Sequence, residues 1–187
     1  MTKLRISYTL LNYWNRNDTE GLINYYFKLK PFEPTPAMLE GIKWDKANEK
    51  EVRVNSKLIP EFGGIPLQKP IPQEKLEADI DDFTMVAVLD VLVDQSKMLI
   101  ETKVGKTSPP DWLKTYQVPM QMLACELKGI QIEKGLLIRY NPKEPVSISN
   151  PDWMPMYNSK ELMDETKAMI VEKGNLIYKF FKDQGLL

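Results

Sequence analysis

Met85–Lys106 reads MVAVLDVLVDQSKMLIETKVGK, and the fold turns on how this stretch is read. Two apolar runs flank a polar break, Asp94-Gln95-Ser96-Lys97, which has the character of a hairpin connection. Val86–Val93 is rich in Val and Leu and apolar on both parities, the pattern of a strand buried on both faces. Asp90 interrupts it. Leu99–Val104 is the return strand and carries Glu101, Thr102 and Lys103. If the turn pairs Asp94 with Lys97, Asp90 lies opposite Glu101, on the face that also takes Lys103, because strand side chains alternate. Two carboxylates facing each other across a ladder repel. Burying them unpaired is expensive. A hard divalent cation, which takes oxygen ligands, relieves both problems. The plainer reading is a solvated edge with an ion pair. An Asp inside an otherwise unbroken apolar run favours the site.

Downstream, Gly105-Lys106-Thr107-Ser108 invites a phosphate-loop reading, but that motif needs a Gly where this chain has Ile100. Ser108 instead reads as a helix cap, with Pro109 and Pro110 in the first turn and Asp111 as box partner. The helix is expected to run through Trp112, Tyr116, Gln117, Met120, Leu123 and Leu127 to Gly129, kinked by Pro119. Gly135–Tyr140 reads as a strand beside the hairpin. Asn141–Tyr157 reads as loop, with Trp153, Met154 and Met156 as packing residues. A last amphipathic helix is expected from Asn158, with Glu161 as its box partner and Leu162, Met169, Ile170, Ile177 and Phe180 on its apolar side.

Upstream, Ser7–Lys28 has helical spacing, as one helix or as two broken near Asn17–Gly21. Its aromatics read as core in preference to a binding platform. Pro31–Pro36 is a proline-rich linker, and Thr35 is placed to cap a helix over Pro36–Arg53. On that helix Met38, Ile42, Asp45, Glu49 and Val52 share a stripe. Asp45 and Glu49 either sit at its edge, paired with Lys46 or Arg53, or turn a carboxylate toward the hairpin. Asn55–Gln73 is punctuated by Pro and Gly, as a loop or a pair of short edge strands. Leu76–Thr84 reads as a solvated acidic strand or turn in preference to a second metal site.

The chain has 187 residues, enough for one domain with a sizeable core. Lys plus Arg (25) nearly balances Asp plus Glu (26), so nucleic-acid binding would depend on local patches. The only cysteine, Cys125, excludes an internal disulfide and a four-cysteine iron–sulfur cluster. With no histidine, a His general base, a His metal ligand and a Ser-His-Asp triad are excluded. The opening apolar run is too short for a signal peptide or a membrane span, so a cytoplasmic protein with no membrane partner is expected.

The ordered pattern resembles the PD-(D/E)XK nuclease superfamily: a helix, a strand with Asp90, a turn, a strand with Glu101-Thr102-Lys103, then a helix with Gln117. It is most similar to the RecB-like branch, which includes CRISPR-associated and lambda-exonuclease-type enzymes. The likeness covers roughly Ile6 to Tyr140, with Ser7-Tyr8-Thr9 matching the opening helix. It implies an α/β fold with a restriction-endonuclease-like core, a central mixed β-sheet flanked by helices in αβββαβ order, and a single domain over residues 1–187. It implies Mg²⁺ or Mn²⁺ on Asp90, Glu101 and the main-chain carbonyl of Thr102. Relatives carry a Gly followed four residues later by a His or acidic ligand. Here Gly41 is followed at that offset by Asp45, with Glu49 and Glu40 behind it. Lys103 would position water and stabilise developing charge. Gln117 would contact DNA or water, and Gln121 stands where relatives have Tyr. Lys97, Lys106 and Lys114 are candidate phosphate contacts. The expected activity is a metal-dependent deoxyribonuclease, read as an exonuclease, acting on single- or double-stranded DNA. RNA is not distinguished. A homo-oligomer such as a toroidal trimer, or a recombination or repair partner protein, stays open. The alternatives are a catalytically silent nucleic-acid-binding or scaffold protein with the same fold, and a structural domain whose hairpin charges form a network.

Overall fold

The computed structural model describes residues 3–31, 33–36, 38, 39, 42, 53, 54, 57, 58, 61, 62, 65, 66, 71–93, 97–104, 116–140 and 153–187. It opens with β1 (Leu4–Ser7), a strand the sequence reading did not anticipate, in which Leu4 and Ile6 are buried and Arg5 is exposed. The helical region is split, into α1 (Tyr8–Asn15) and α2 (Thr19–Phe27). Asn17 between them has φ of 56°, which no helix residue can hold. Each helix has its own cap: Ser7 Oγ accepts from Leu10 N at 3.2 Å, and Asp18 Oδ1 accepts from Gly21 N at 2.8 Å. Thr35 caps as expected, accepting from Met38 N at 3.3 Å through Oγ1 and from Leu39 N through its carbonyl. The expected helix does not reach Arg53. That residue belongs to β2 (Arg53–Val54), paired with β3 (Lys57–Leu58), and a second small ladder joins β4 (Glu61–Phe62) to β5 (Ile65–Pro66).

The core sheet is built from β1, β6 (Ile71–Ile80), β7 (Phe83–Val93), β8 (Met98–Val104), β9 (Lys134–Tyr140) and β10 (Trp153–Tyr157). Its order is β1-β7-β8-β9-β10, with β6 also paired to β7. β6 and β7 form an antiparallel hairpin around Asp81, where φ is 49°. β7 and β8 pair antiparallel through Val93–Met98, Leu92–Leu99 and Val91–Ile100, the register a turn from Asp94 to Lys97 dictates. β9 returns parallel to β8 after α3 (Gln117–Leu127), the crossover helix that parallel neighbours require. The α/β order is therefore a restriction-endonuclease-like one: helix, three antiparallel strands, helix, strand.

Three expectations need correction. β7 is not buried on both faces: Met85, Ala87 and Leu89 are buried, but Val88 is 42% exposed and Val86 and Asp90 are half-buried. The reason lies in its neighbours, since β6 sets Glu77 beside Val86 and Lys75 beside Val88, which keeps that face wet. Pro119 does not kink a helix interior. Tyr116, at φ of 60°, cannot continue a helix from upstream, so α3 starts at Gln117 and Pro119 lies in the first turn, where no intrahelical N–H is lost. The expected cap at Ser108 lies outside the described residues. Trp153–Tyr157 is strand β10, not loop. It ends the sheet antiparallel to β9, and an end strand tolerates Pro155.

α4 (Lys160–Asp183) closes the structure. Its cap is Ser159, whose Oγ accepts from Leu162 N at 3.1 Å, rather than Asn158, whose Nδ2 donates to the Ile132 carbonyl at 2.8 Å. Met163, Thr166, Ile170, Gly174, Ile177 and Phe181 form its buried stripe. Phe181 packs tilted against Tyr26 and edge-on against Phe27, and Phe180 meets Trp14 edge-on, so α1, α2 and α4 share one aromatic seam.

Candidate active site where two strands part

The last described rung between β7 and β8 is Val91–Ile100, and Asp90 and Glu101 are the next residue on each strand. Glu101 is only 1% exposed. A carboxylate that deep must be hydrogen-bonded or neutralised. Gln117 Nε2 donates to Glu101 Oε1, and Gln121 Nε2 donates to Glu101 Oε2 at 2.5 Å. Gln121 Nε2 also donates to the main-chain oxygen of Val88 at 2.7 Å. The two glutamines are four apart on α3, so they project from one helix face.

Gly135 lets that face come close. It pairs with Leu99, two residues before Glu101 and on the same side of the sheet. A Cβ there would meet Val118 Cγ1 at 2.3 Å and Met122 Sδ at 3.0 Å. Across the described residues, the amide oxygens Gln117 Oε1 and Gln121 Oε1 are buried and accept no hydrogen bond.

The other sequence-derived candidates are placed unevenly. Asp90 is half-buried on β7. Thr102 and Lys103 are on β8, in register with Ile138 and Arg139 of β9, and their side chains lie outside the described residues. Asp45, Glu40, Glu49, Lys106 and Lys114 also lie outside them. Among the described residues no three Asp, Glu, His or Cys side chains cluster as a cation site. Lys97 is engaged with Glu133 at 3.0 Å.

A cleft of about 610 Å³ borders the two glutamines, walled by the β1–α1 junction, the end of α2 and Val86–Val88 of β7. Ser7 Oγ and Tyr25 Oη share a hydrogen bond of 3.0 Å on its wall. Lys28, in a left-handed conformation with φ of 53°, lies on the rim. Arg5 and Lys75 also line it, both bound to Glu77. The hydrogen bond from Arg5, then that from Lys75, holds the Glu77 carboxyl at about 2. In sequence, Ser7-Tyr8-Thr9 reads as the start of a helix and Tyr25 as core in preference to a binding platform. The usable signal was the mix of tyrosines and cations across Arg5–Tyr8 and Tyr25–Lys28.

The architecture is thus a restriction-endonuclease-like α/β core with a buried glutamate at its strand junction. Its fold is similar to that of two solved exonucleases. One is the alkaline exonuclease LHK-Exo from Laribacter hongkongensis, with a TM-score of 0.58 and 14% identity, covering 97% of this chain and 93% of that one. The other is a phage related exonuclease from Haemophilus somnus 129PT, with a TM-score of 0.53 and 14% identity, covering 96% and 97%. No family model matches the chain, and no curated protein matches it in sequence. Among the described residues no helix is long and apolar enough to cross a membrane.

Proposed function

We propose that this protein is a metal-dependent deoxyribonuclease, working as an exonuclease, with Asp90, Glu101 and Lys103 at its centre. The observation that carries the reading is the Glu101 carboxylate, buried one residue past the Val91–Ile100 rung and held by two amides. The likeness of the fold to two exonucleases supports it.

Mg²⁺ or Mn²⁺ fits the donor set. Asp90, Glu101 and the Thr102 carbonyl are hard oxygen donors. Asp45 is the proposed additional ligand. When bound, the cation would lower the pKa of water and offset phosphate charge. The protein groups do the rest. Lys103 stabilises negative charge as the water oxygen bonds to phosphorus and the bond to the leaving sugar oxygen breaks. Gln117 holds one Glu101 oxygen and faces the cleft, where it can orient substrate or water. DNA is the proposed partner, with Lys28 and the tyrosine-lined cleft along its path.

The test is cleavage of end-labelled linear DNA and covalently closed circular DNA with Mg²⁺ or Mn²⁺, run beside Asp90→Ala. Metal-dependent loss of the linear substrate, abolished by the substitution, is expected. Cutting of circles would remove the exonuclease assignment. Tight DNA binding without cleavage would favour the silent scaffold.

A further inference from the structure

We propose that Gln121 is a positioning residue for this centre: it ties Glu101 Oε2 to the main chain of Val88 and so fixes the carboxylate where the strands separate. The inference deepens the nuclease reading and rests on it.

An amide nitrogen has two hydrogens, and Gln121 Nε2 has two acceptors, Glu101 Oε2 at 2.5 Å and Val88 O at 2.7 Å. One acceptor belongs to β7 and the other to β8. The side chain therefore spans the gap between the strands beyond the Val91–Ile100 rung. Gln121 is 2% exposed, among Met120, Met122 and Leu123, which are also buried, so its rotamer is set by packing. Its Oε1 is buried and accepts nothing among the described residues. Were the residue only filler, Met or Leu would fit the same helix position without a stranded oxygen. The donor side of the amide is what the site uses. Gln117 is less constrained, as the half-buried first residue of α3.

Gln121→Met keeps length and volume and removes both hydrogen bonds. In the full chain without metal it should melt below wild type, because Glu101 Oε2 and the Val88 carbonyl each lose this donor. The Mn²⁺ concentration giving the half-maximal melting shift should rise about 10–100-fold, the usual effect of losing a ligand's hydrogen-bond partner. On DNA, kcat should fall at subsaturating Mn²⁺ with KM for DNA unchanged, and excess Mn²⁺ should restore it. Gln121→Asn, whose amide is too short to span both acceptors, should behave alike and serves if the Met variant does not fold. An unchanged Mn²⁺ dependence in a folded variant, beside a wild type that binds Mn²⁺ and cuts DNA, overturns this inference alone. A wild type that neither shifts with Mn²⁺ nor cuts DNA overturns the nuclease reading, and this inference with it.

Discussion

Gly135 of β9 lies directly beneath Val118 of α3, so close that a Cβ at residue 135 would sit 2.3 Å from Val118 Cγ1. That Cγ is short and buried and cannot swing away. Gly135→Ala should therefore push the helix off the sheet and cost about 1–3 kcal/mol, in the range for overpacked cores. Urea melts will read this. Val118→Ala in the same chain should return part of the loss, as a favourable coupling in the double-mutant cycle. Because α3 carries Gln117 and Gln121, Gly135→Ala should also weaken Mn²⁺ binding.

Removing the Glu101 carboxylate strands the two amides that point at it. Glu101→Ala should destabilise the metal-free protein by about 1–3 kcal/mol, the cost of buried donors without partners. Asp90 is half-buried, so Asp90→Ala should cost less. Both substitutions should abolish the rise in melting temperature with Mn²⁺ that a binding site produces. If the charges formed only a structural network, Asp90→Asn or Glu101→Gln would stabilise the metal-free protein or leave it unchanged, and Mn²⁺ would shift neither these variants nor wild type.

Glu77 gives a pH signature away from the site. Its carboxyl is held at about 2, below the ordinary 4.5, first by the hydrogen bond from Arg5 and then by that from Lys75. A depressed acid stabilises the fold fully above the ordinary value and loses that contribution as pH falls from about 4.5 through about 2. The groups are solvent-accessible, so salt should weaken the effect and its share of stability is small. NMR titration should place Glu77 at about 2 in wild type and clearly higher in Arg5→Met.

The 24-residue α4 hangs on its first turn. Ser159→Ala removes the acceptor for Leu162 N and should lower stability by about 1 kcal/mol. Asn158→Ala should be felt at a different place, the Ile132–Glu133 corner it ties down, in hydrogen exchange of that loop. The exposed Lys160–Asp164 pair should matter little in either background.

What could be read from the chain was what neighbours in sequence decide. The turn at Asp94–Lys97 set the β7–β8 register, because a polar break between two apolar runs leaves few ways to pair them. The Thr35 cap and the helix break near Asn17 were local chemistry too. What escaped depended on distant partners. Val88 looked like core until β6 set Lys75 beside it. Residues 4–7 are too few to show a period, and only the pairing of Ser7 with Val86 and of Leu4 with Phe83 makes them a strand. Tyr116 gave no sign of its left-handed backbone, so the helix start was misplaced. Gln117 and Gln121 showed their spacing but not their shared target, which only the approach over Gly135 reveals.

Pro155 has a consequence beyond its own strand. Among the described residues β10 is the last strand of the sheet in that direction, and the proline in its middle leaves the strand one main-chain amide hydrogen short. That border makes a poor template for fibrillar growth. Crowded solutions of the folded protein should resist cross-β stacking along it, and replacing Pro155 with Val should remove that safeguard.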